Sequence, residues 1–591
     1  MSDSGSPSPR QPGVGGRLFR GYGPLIGFAL LIAIVANFLP TQRQTVKTVQ
    51  AAQSAAGVEV QSATEEASTT ENAAGASTTV PGATTGAAGS TGSAGASGAG
   101  ATGSAAKKAA AGAAAKSVTA AGKGGSSDAA AGRVACADRT QQVPGDSYSP
   151  KCYQWPGGDN GGATSVGVTA DTITVSVRID AFLNGLNDAL SKAAGAADLA
   201  ETPETVERTF NGLADYFNRN YQFYGRKLKL VFFSGKGDPL QESLGGGQEG
   251  AQADALKVAS DIKAFADVSA VTPPYADALS SKGVVNVGAP YVSRKWLTAR
   301  RPYAWTPLTD GTTVAEATVS YLINKMAGKN ADWAGGDLKG KPRKAGIVAP
   351  ENDWYQDSVN AGIAIARQAG VDNQIVDNEP YQLDINKMSN TAATLVPKLI
   401  SKGVTTVICA CDPVLLSFLT KKAAEQQWFP EWLEVGVALT DQDLVGQLFE
   451  PSEWKHAFGV SYSGPPEPLT SSFAYRAYKS AGGQGNPSIA TSIIYYQLQV
   501  LAIGLQMAGP NLNPTTFESG MFAYPPANGP AGLWNFGPGD YSTSADAREI
   551  YWDPNATSIQ NGKKGAWIEA QPGKRYPIGK FPAGDPNVPK Q

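Results

Sequence analysis

KAGIVAPENDWYQDSVNAGIAIARQAG, Lys344 to Gly370, is the stretch that decides the fold. It divides into an apolar run (Ala345–Ala349), a polar loop (Pro350–Asp357) and a helix carrying Val359, Ile363 and Ile365. The run is too short for a helix and the segment after it too long for a strand. A buried parallel strand feeding a helix is half of a βαβ unit. Its loop lies at the carboxyl end of the strand, where open α/β sheets bind ligands. Here that loop carries Asp353, Trp354, Tyr355 and Gln356, a high density of aromatic and hydrogen-bonding groups. The alternative is a solvated loop whose Trp354 plugs a hydrophobic gap.

Working outward, the same alternation continues on both sides. Upstream it predicts a strand Ile173–Ile179 ending on Asp180, and a helix Glu204–Gln222 with Val206, Phe210, Leu213 and Phe217 on one face. A strand Leu228–Phe233, a helix Gln252–Phe265, a strand ending near Val271, a helix Ala276–Lys282 and a strand Val284–Val287 follow. The helix Val314–Ala327 leads into the quoted stretch. Beyond it come the helix Thr391–Ser401, the strand Val404–Cys409, the helix Leu415–Gln426 and the strand Leu433–Val437. Strands separated by helices imply parallel sheets covered on both faces. Two such runs predict an α/β protein of two Rossmann-like lobes facing a cleft, a favoured place for a small molecule. Pro487–Gly509 is long enough to raise a membrane span, but its Ser, Thr, Tyr and Gln residues favour a buried helix, with Tyr495, Tyr496, Gln497 and Gln499 as packing residues. The Gly/Pro-rich tail from Gly573 is expected to wrap the surface.

The N-terminal fifth has a different character. Residues 1–20 are polar and carry Arg10, Arg17 and Arg20, and residues 21–42 are uncharged, with Leu25–Leu39 almost wholly apolar. This approaches the ~20 residues that a membrane-spanning helix needs. A cleaved signal peptide competes, but Phe38-Leu39-Pro40-Thr41-Gln42-Arg43 offers no small-x-small cleavage site. The reading is a single-pass anchor at 21–42, a short cytoplasmic N-terminus at 1–20 and an extracytoplasmic folded part. Residues 43–133, rich in Ala, Gly, Ser and Thr, cannot bury enough apolar surface to offset ordering entropy. They are expected to form a disordered leash spanning about 50 Å.

Charge and cysteines narrow the classes further. The 49 basic and 51 acidic residues carry no nucleic-acid footprint. Cys136 and Cys152 bracket a Pro/Gly-containing loop, and a disulfide there is the expected state of an extracytoplasmic chain, closing the region 134–165. Cys409 and Cys411 at the end of a strand read as two buried thiols or a local disulfide ahead of a metal site, because His456 is the only histidine.

With that order in place, the chain from about Val166 to about Phe581 resembles the extracellular solute-binding proteins of branched-chain amino acid ABC transporters, the type I periplasmic-binding fold of the Leu/Ile/Val-binding kind. The residues that carry it are GVTADTITVSV, YFNRNYQFYGRKLKLVFF followed by Gly237-Asp238-Pro239, VVNVGAP, the quoted block, and Cys411-Asp412-Pro413. Arg548–Pro554, REIYWDP, is similar to members from high-GC Gram-positive bacteria. The resemblance implies lobe 1 at 166–306, lobe 2 at 307–462, a return to lobe 1 at 463–540, and completion of lobe 2 with the tail at 541–591.

It also implies a ligand gripped from both lobes. Family members hold a ligand carboxylate on a hydroxyl-bearing loop at a helix start, which here falls at Val271–Ala276 with Thr272 and Tyr275 as contacts. Pro273 and Pro274 remove amide donors from that loop, and a rigid turn with an exposed Tyr275 is the alternative. The next position falls at Gly288–Tyr291, giving Gly288 and Tyr291. In lobe 2 an aromatic closes over the ligand, Trp354 or Tyr355, and a carboxylate, Asp412 or Asp441, meets an ammonium. Arg294, Lys295, Arg300 and Arg301 read as a solvated face, with the cleft mouth as the alternative.

No nucleophile elbow, phosphate loop or metal-ligand constellation is present in the sequence, so no enzymatic activity, cofactor or metal is expected. The expected function is capture of a small polar ligand, an amino acid or related solute, for an ABC permease. A ligand sensor or protein-binding scaffold at the envelope is the rival, and a binding fold that has lost its ligand is a third reading.

Overall fold

The computed structural model describes residues 127–183 and 201–590. All of them fall within one compact unit, Ala115–Gln591. The expected cytoplasmic end, the anchor at 21–42 and the leash up to residue 126 lie outside the described residues. Among those described, no helix is long and apolar enough to cross a membrane.

The described chain begins with a two-stranded antiparallel ribbon, β1 (Val134–Ala135) and β2 (Tyr153–Gln154), closed by the Cys136–Cys152 disulfide. Arg133, expected inside the leash, is already buried and its guanidinium donates to the Met507 carbonyl.

Five strands then form the first sheet: β3 (Thr172–Arg178), β4 (Lys227–Phe233), β5 (Ala266–Ala270), β6 (Val285–Gly288) and β7 (Ala304–Trp305). All pair in parallel in the order β4-β3-β5-β6-β7. Their helices are α1 (Pro203–Asn220), α2 (Pro239–Ser243), α3 (Gln248–Leu256), α4 (Pro273–Ser281) and α5 (Arg294–Ala299). α1 starts at a Thr202 cap whose hydroxyl accepts the Thr205 N–H, and it buries Val206, Phe210, Leu213 and Phe217 against the sheet.

The second sheet repeats the plan. It is flanked by α6 (Gly311–Tyr321), α7 (Asp353–Gln368), α8 (Met388–Ser401), α9 (Pro413–Glu425) and two short turns, α10 (Asp443–Gly446) and α11 (Pro451–Trp454). Its parallel strands are β8 (Ala345–Pro350), β9 (Ile375–Tyr381), β10 (Thr406–Cys409), β11 (Glu431–Glu434) and β12 (Ala457–Ser461), in the order β9-β8-β10-β11-β12. Before the sheet is completed the chain returns to the first core through α12 (Phe473–Ser480), α13 (Thr491–Ala508), α14 (Pro514–Ala523) and the ribbon β13 (Ala527–Gly529)–β14 (Gly532–Trp534). Three antiparallel strands then extend the second sheet: β15 (Asp546–Thr557), β16 (Lys564–Glu569) and β17 (Arg575–Pro577). Alternate residues of β8 feed opposite faces, Val348 one core and Ile347 the other, so this sheet is covered on both sides.

Several expectations need correction. Trp354, Tyr355 and Gln356 lie in the first helical turn of α7, not in a loop, because the helix starts at Asp353. Asp353 there complements the positive end of the helix dipole. β9 was not expected: IVDNEPY is polar and holds Pro380, a composition that only an edge strand tolerates. Nor were the short α5 and β7. The tail does not merely wrap the surface, since β17 pairs with β15, and Phe581 and Val588 are buried in the second core.

Candidate functional site

In both sheets the strand order reverses beside the first strand. The carboxyl ends of β3 and β5 flank this switch point in the first sheet, and those of β8 and β10 in the second. Ligands of open α/β sheets lie in the crevice outside such points.

Three predicted residues converge on the second switch point. Trp354 and Tyr355 stand on the first turn of α7, with ring centroids 6.1 Å apart. Asp412 caps α9, its Oδ1 accepting the Val414 and Leu415 N–H groups at 2.9 and 3.0 Å. Its Oδ2 takes the Tyr381 hydroxyl at 2.6 Å. Burial raises the Asp412 pKa above the usual carboxylate range. Burial also pushes the Tyr355 phenol up to about 12, against the pull of the Trp354 indole.

Asp441 lies farther along the same sheet edge. It is buried, with Oδ2 accepting the hydroxyls of Ser461 at 2.7 Å and Ser463 at 2.9 Å. Beside it Glu434, at the end of β11, accepts the N–H groups of Val435 and Gly436 and the Thr440 hydroxyl through Oε1. Burial first, and Asp441 second, push Glu434 up to about 8. Ala438 and Leu439 between these acids have φ of 50° and 63°, a left-handed backbone unusual for residues with side chains.

The lobes meet by exchanging aromatics. Tyr291, itself at φ 60°, leaves the first lobe and packs against the core of the second. Trp354 leaves the second and packs against the core of the first. The Ser293 N–H donates to the Trp354 carbonyl at 2.9 Å. Local strain of this kind gathers where surrounding structure over-determines it, often at ligand clamps. The Asn352 Oδ1 and the Ser358 Oγ are buried here without partners.

Thr272 and Tyr275 sit at the other switch point and are wholly buried, so the exposed turn offered as the alternative for Tyr275 is not what forms. The Thr272 hydroxyl donates to Glu242, and the Tyr275 hydroxyl to Asp267 at 3.0 Å. Arg178, at the end of β3, lies 3.9 Å over the Tyr275 ring. Gly288 ends β6 where a Cβ would collide with the Ala270 carbonyl, so it keeps β5 and β6 close together.

A crevice of about 280 Å³ opens between these points, lined by Pro273, Pro274, Trp296, Arg300, Asp353 and Trp354. Of the basic cluster expected on a solvated face, Lys295 and Arg300 also line this crevice. Lys295 pairs with Asp357 of α7 at 3.0 Å, Arg294 with Glu316 of α6 at 2.9 Å, and Arg300 with Asp277 at 2.6 Å. A larger groove of about 490 Å³ beside the disulfide loop lies at neither switch point. His456 is buried with Nδ1 2.7 Å from the Trp333 carbonyl, and burial lowers its pKa to about 4. Cys409 and Cys411 are joined to each other. Among the described residues no group of three or more His, Cys, Asp or Glu is arranged to hold a metal ion.

The sequence profile of the family described as periplasmic binding protein matches residues 194–557, well over half of the chain. The chain belongs to the periplasmic binding protein family. Membership makes it one of a family of binding proteins, and the two switch points are where its ligand contacts are to be sought. No curated protein matches the sequence. Among solved structures the chain is similar to a solute-binding protein of an ABC transporter from R. palustris in complex with 4-hydroxybenzoate, at 12% identity and TM-score 0.47, covering 69% of this chain and 98% of that one. It is similar to a fatty acid ABC transporter substrate-binding protein from Thermomonospora curvata, at 16% identity and TM-score 0.46, covering 70% and 95%. It is also similar to an amino acid ABC transporter substrate-binding protein from Pseudomonas fluorescens Pf-5, at 11% and 0.46, covering 70% and 97%. At these levels the three likenesses say nothing of which ligand this chain takes.

Sequence reasoning missed Arg178, Glu242, Tyr381 and Glu434. Arg178 and Glu434 each end an apolar strand, a signal that was readable. Glu242 sits in a glycine-rich segment with no periodicity to place it.

Proposed function

We propose that this is a membrane-tethered, extracytoplasmic solute-binding protein that captures a small polar ligand between its lobes and presents the closed form to an ABC permease. The observation that supports this best is the exchange of Tyr291 and Trp354 between lobes beside the buried Asp441. Among the two candidate carboxylates, Asp412 is occupied as a helix cap, whereas Asp441 is held only by side chains, its Oδ1 meeting nothing closer than Gln442 at 3.4 Å. Asp441 is therefore the stronger acceptor for a ligand ammonium or other donor, and Tyr291, Trp354 and Tyr355 supply the aromatic walls that suit a cationic or amphipathic solute. The uncharged run 21–42 supplies the tether.

The test is a thermal-shift screen of the chain from residue 127 against amino acids, polyamines, sugars, nucleosides and short peptides. A ligand at about a hundred times its dissociation constant adds roughly 2.7 kcal/mol. Asp441→Asn is expected to weaken that ligand about 10- to 100-fold by removing a charged hydrogen bond. A cooperative melt that no compound shifts counts against solute binding.

A further inference from the structure

The first switch point already holds a carboxylate. Arg178 is wholly buried and donates from Nη1 and Nη2 to the two oxygens of Glu242, each at 2.7 Å. Nη1 also reaches Asp254 at 3.2 Å, and the Thr272 hydroxyl donates to Glu242. Burial pulls the Arg178 pKa down, yet Glu242 holds it above the ordinary guanidinium value. Pro273 and Pro274 open α4 without N–H donors, so an anion here rests on a guanidinium fork and a hydroxyl. The Arg178 Nε is buried with no partner at all, one donor more than Glu242 and Asp254 satisfy.

What delivers Glu242 is unlike the rest of the lobe. α2 is five residues long and is flanked by Gly235 and Gly237 before it and Gly245, Gly246 and Gly247 after it. Across residues 234–250 Glu242 alone is buried. Upstream, the N–H groups of Gly235, Lys236 and Gly237 donate to Asp180 and Asp254, whereas from Pro239 to Gly246 the side-chain bonds to the rest of the lobe are those of Glu242. It also reaches across the cleft: Gly245, at φ +87°, lies so close to the Asn352 side-chain amide that a Cβ there would displace it. The crevice of about 280 Å³ runs beside it, lined by Gln248, Pro273, Pro274 and Trp354.

We propose that α2 is a displaceable strap whose Glu242 occupies an anion site built from Arg178 and Thr272, and that a carboxylate-bearing solute takes its place there. This rests on the solute-binding reading and names the chemistry of its ligand. Exchange of one carboxylate for another keeps Arg178 paired, so the cost of leaving a buried charge alone does not arise. Glu242 passes to solvent, where its charge is hydrated. Tethered to its own site, Glu242 competes at a high effective concentration and weakens the apparent affinity of any solute that must displace it. Simple carboxylates are thereby excluded, and only a solute with further contacts across the cleft wins.

The experiment removes the strap's carboxylate and supplies one from solution. Full-chain Glu242→Ala and Glu242→Gln are melted in rising sodium propionate, with sodium chloride at equal ionic strength and propionamide as controls. Propionate is expected to raise the melting temperature by several degrees and to saturate, neither control doing so, and Arg178→Met combined with Glu242→Ala is expected to abolish the effect. Equal melting in propionate, chloride and propionamide overturns the proposal, as does a propionate effect that survives loss of Arg178. If neither variant folds unaided, refolding in propionate but not in chloride supports it, and failure in both overturns it. The readout needs no natural ligand. Propionate rescue with no hit in the solute screen would retain the anion site and remove the transport reading; a hit without rescue would do the reverse.

Discussion

Glu453 is wholly buried, with one carboxylate oxygen on the Trp432 indole N–H at 3.1 Å and the other without a partner. Burial pushes its pKa up to about 8, as burial and Asp441 do for Glu434. An acid whose folded pKa is raised contributes its stability in full below the unfolded value, near 4.5, and loses it as pH climbs through 8. Each group accounts for at most about 1.4 kcal/mol per pH unit in that window. His456 acts on the other side: neutral in the fold with a pKa lowered to about 4, it costs stability as pH falls below about 6.5. Urea unfolding is therefore expected to give a maximum on the acid side of neutrality. Glu453→Gln, which keeps an acceptor for Trp432, should flatten the decline between pH 5 and 8 while leaving the acid limb unchanged. An unchanged slope would show that Glu453 ionises freely. At this scale much of the site escaped the sequence. An acid after an apolar strand was readable, which brought Asp412 and Asp441 into view, but whether such a group caps a helix or faces a cleft depends on a hydroxyl 31 residues away, as Tyr381 is from Asp412.

The N-terminal loop is stitched to the first lobe as a unit. Asp146 is buried beneath it, and its carboxylate accepts the hydroxyls of Tyr221 at 3.1 Å and Tyr495 at 3.0 Å and the Gln499 amide at 2.8 Å. The disulfide closes a loop with a sequence separation of 16 over these contacts. Replacing Cys136 and Cys152 together by serine should cost about 3 kcal/mol in urea unfolding. A loss under 1 kcal/mol would mean that the non-covalent contacts of Asp146, Gln142 and Tyr148 fix the loop without the disulfide. Among elements, the long ones were legible: α1 and the buried strands of both sheets follow from apolar spacing and length, and α13 from a long apolar stretch interrupted by Ser, Thr, Tyr and Gln. β9 and β7 were not, one because an edge strand carries polar residues, the other because two residues make no period. The start of α7 was misplaced because Asp353 and Gln356 read as loop chemistry, although an acid suits a first helical turn.

At the scale of the molecule, two lobes with parallel sheets follow from the alternation of strand and helix, whereas the strand order within each sheet and the way the lobes lock do not. Tyr291 and Trp354, the aromatics expected at the ligand, each also pack on the core of the opposite lobe. Combining Tyr291→Ala with Trp354→Ala should therefore favour an open form, seen as a larger radius of gyration by solution scattering without ligand. An unchanged radius would place the hold on closure elsewhere, in the Lys295–Asp357 and Arg294–Glu316 pairs.

The two ends of the described chain are fastened to different lobes. Arg133 and Asp146 moor the start to the first, while the Glu549 carboxylate holds Asn587, and Phe581 and Val588 are sunk in the second. Tension applied between residues 127 and 590 therefore passes from one lobe to the other. The ends are ready-made handles, and a pulling experiment would open the molecule before it unravelled either half.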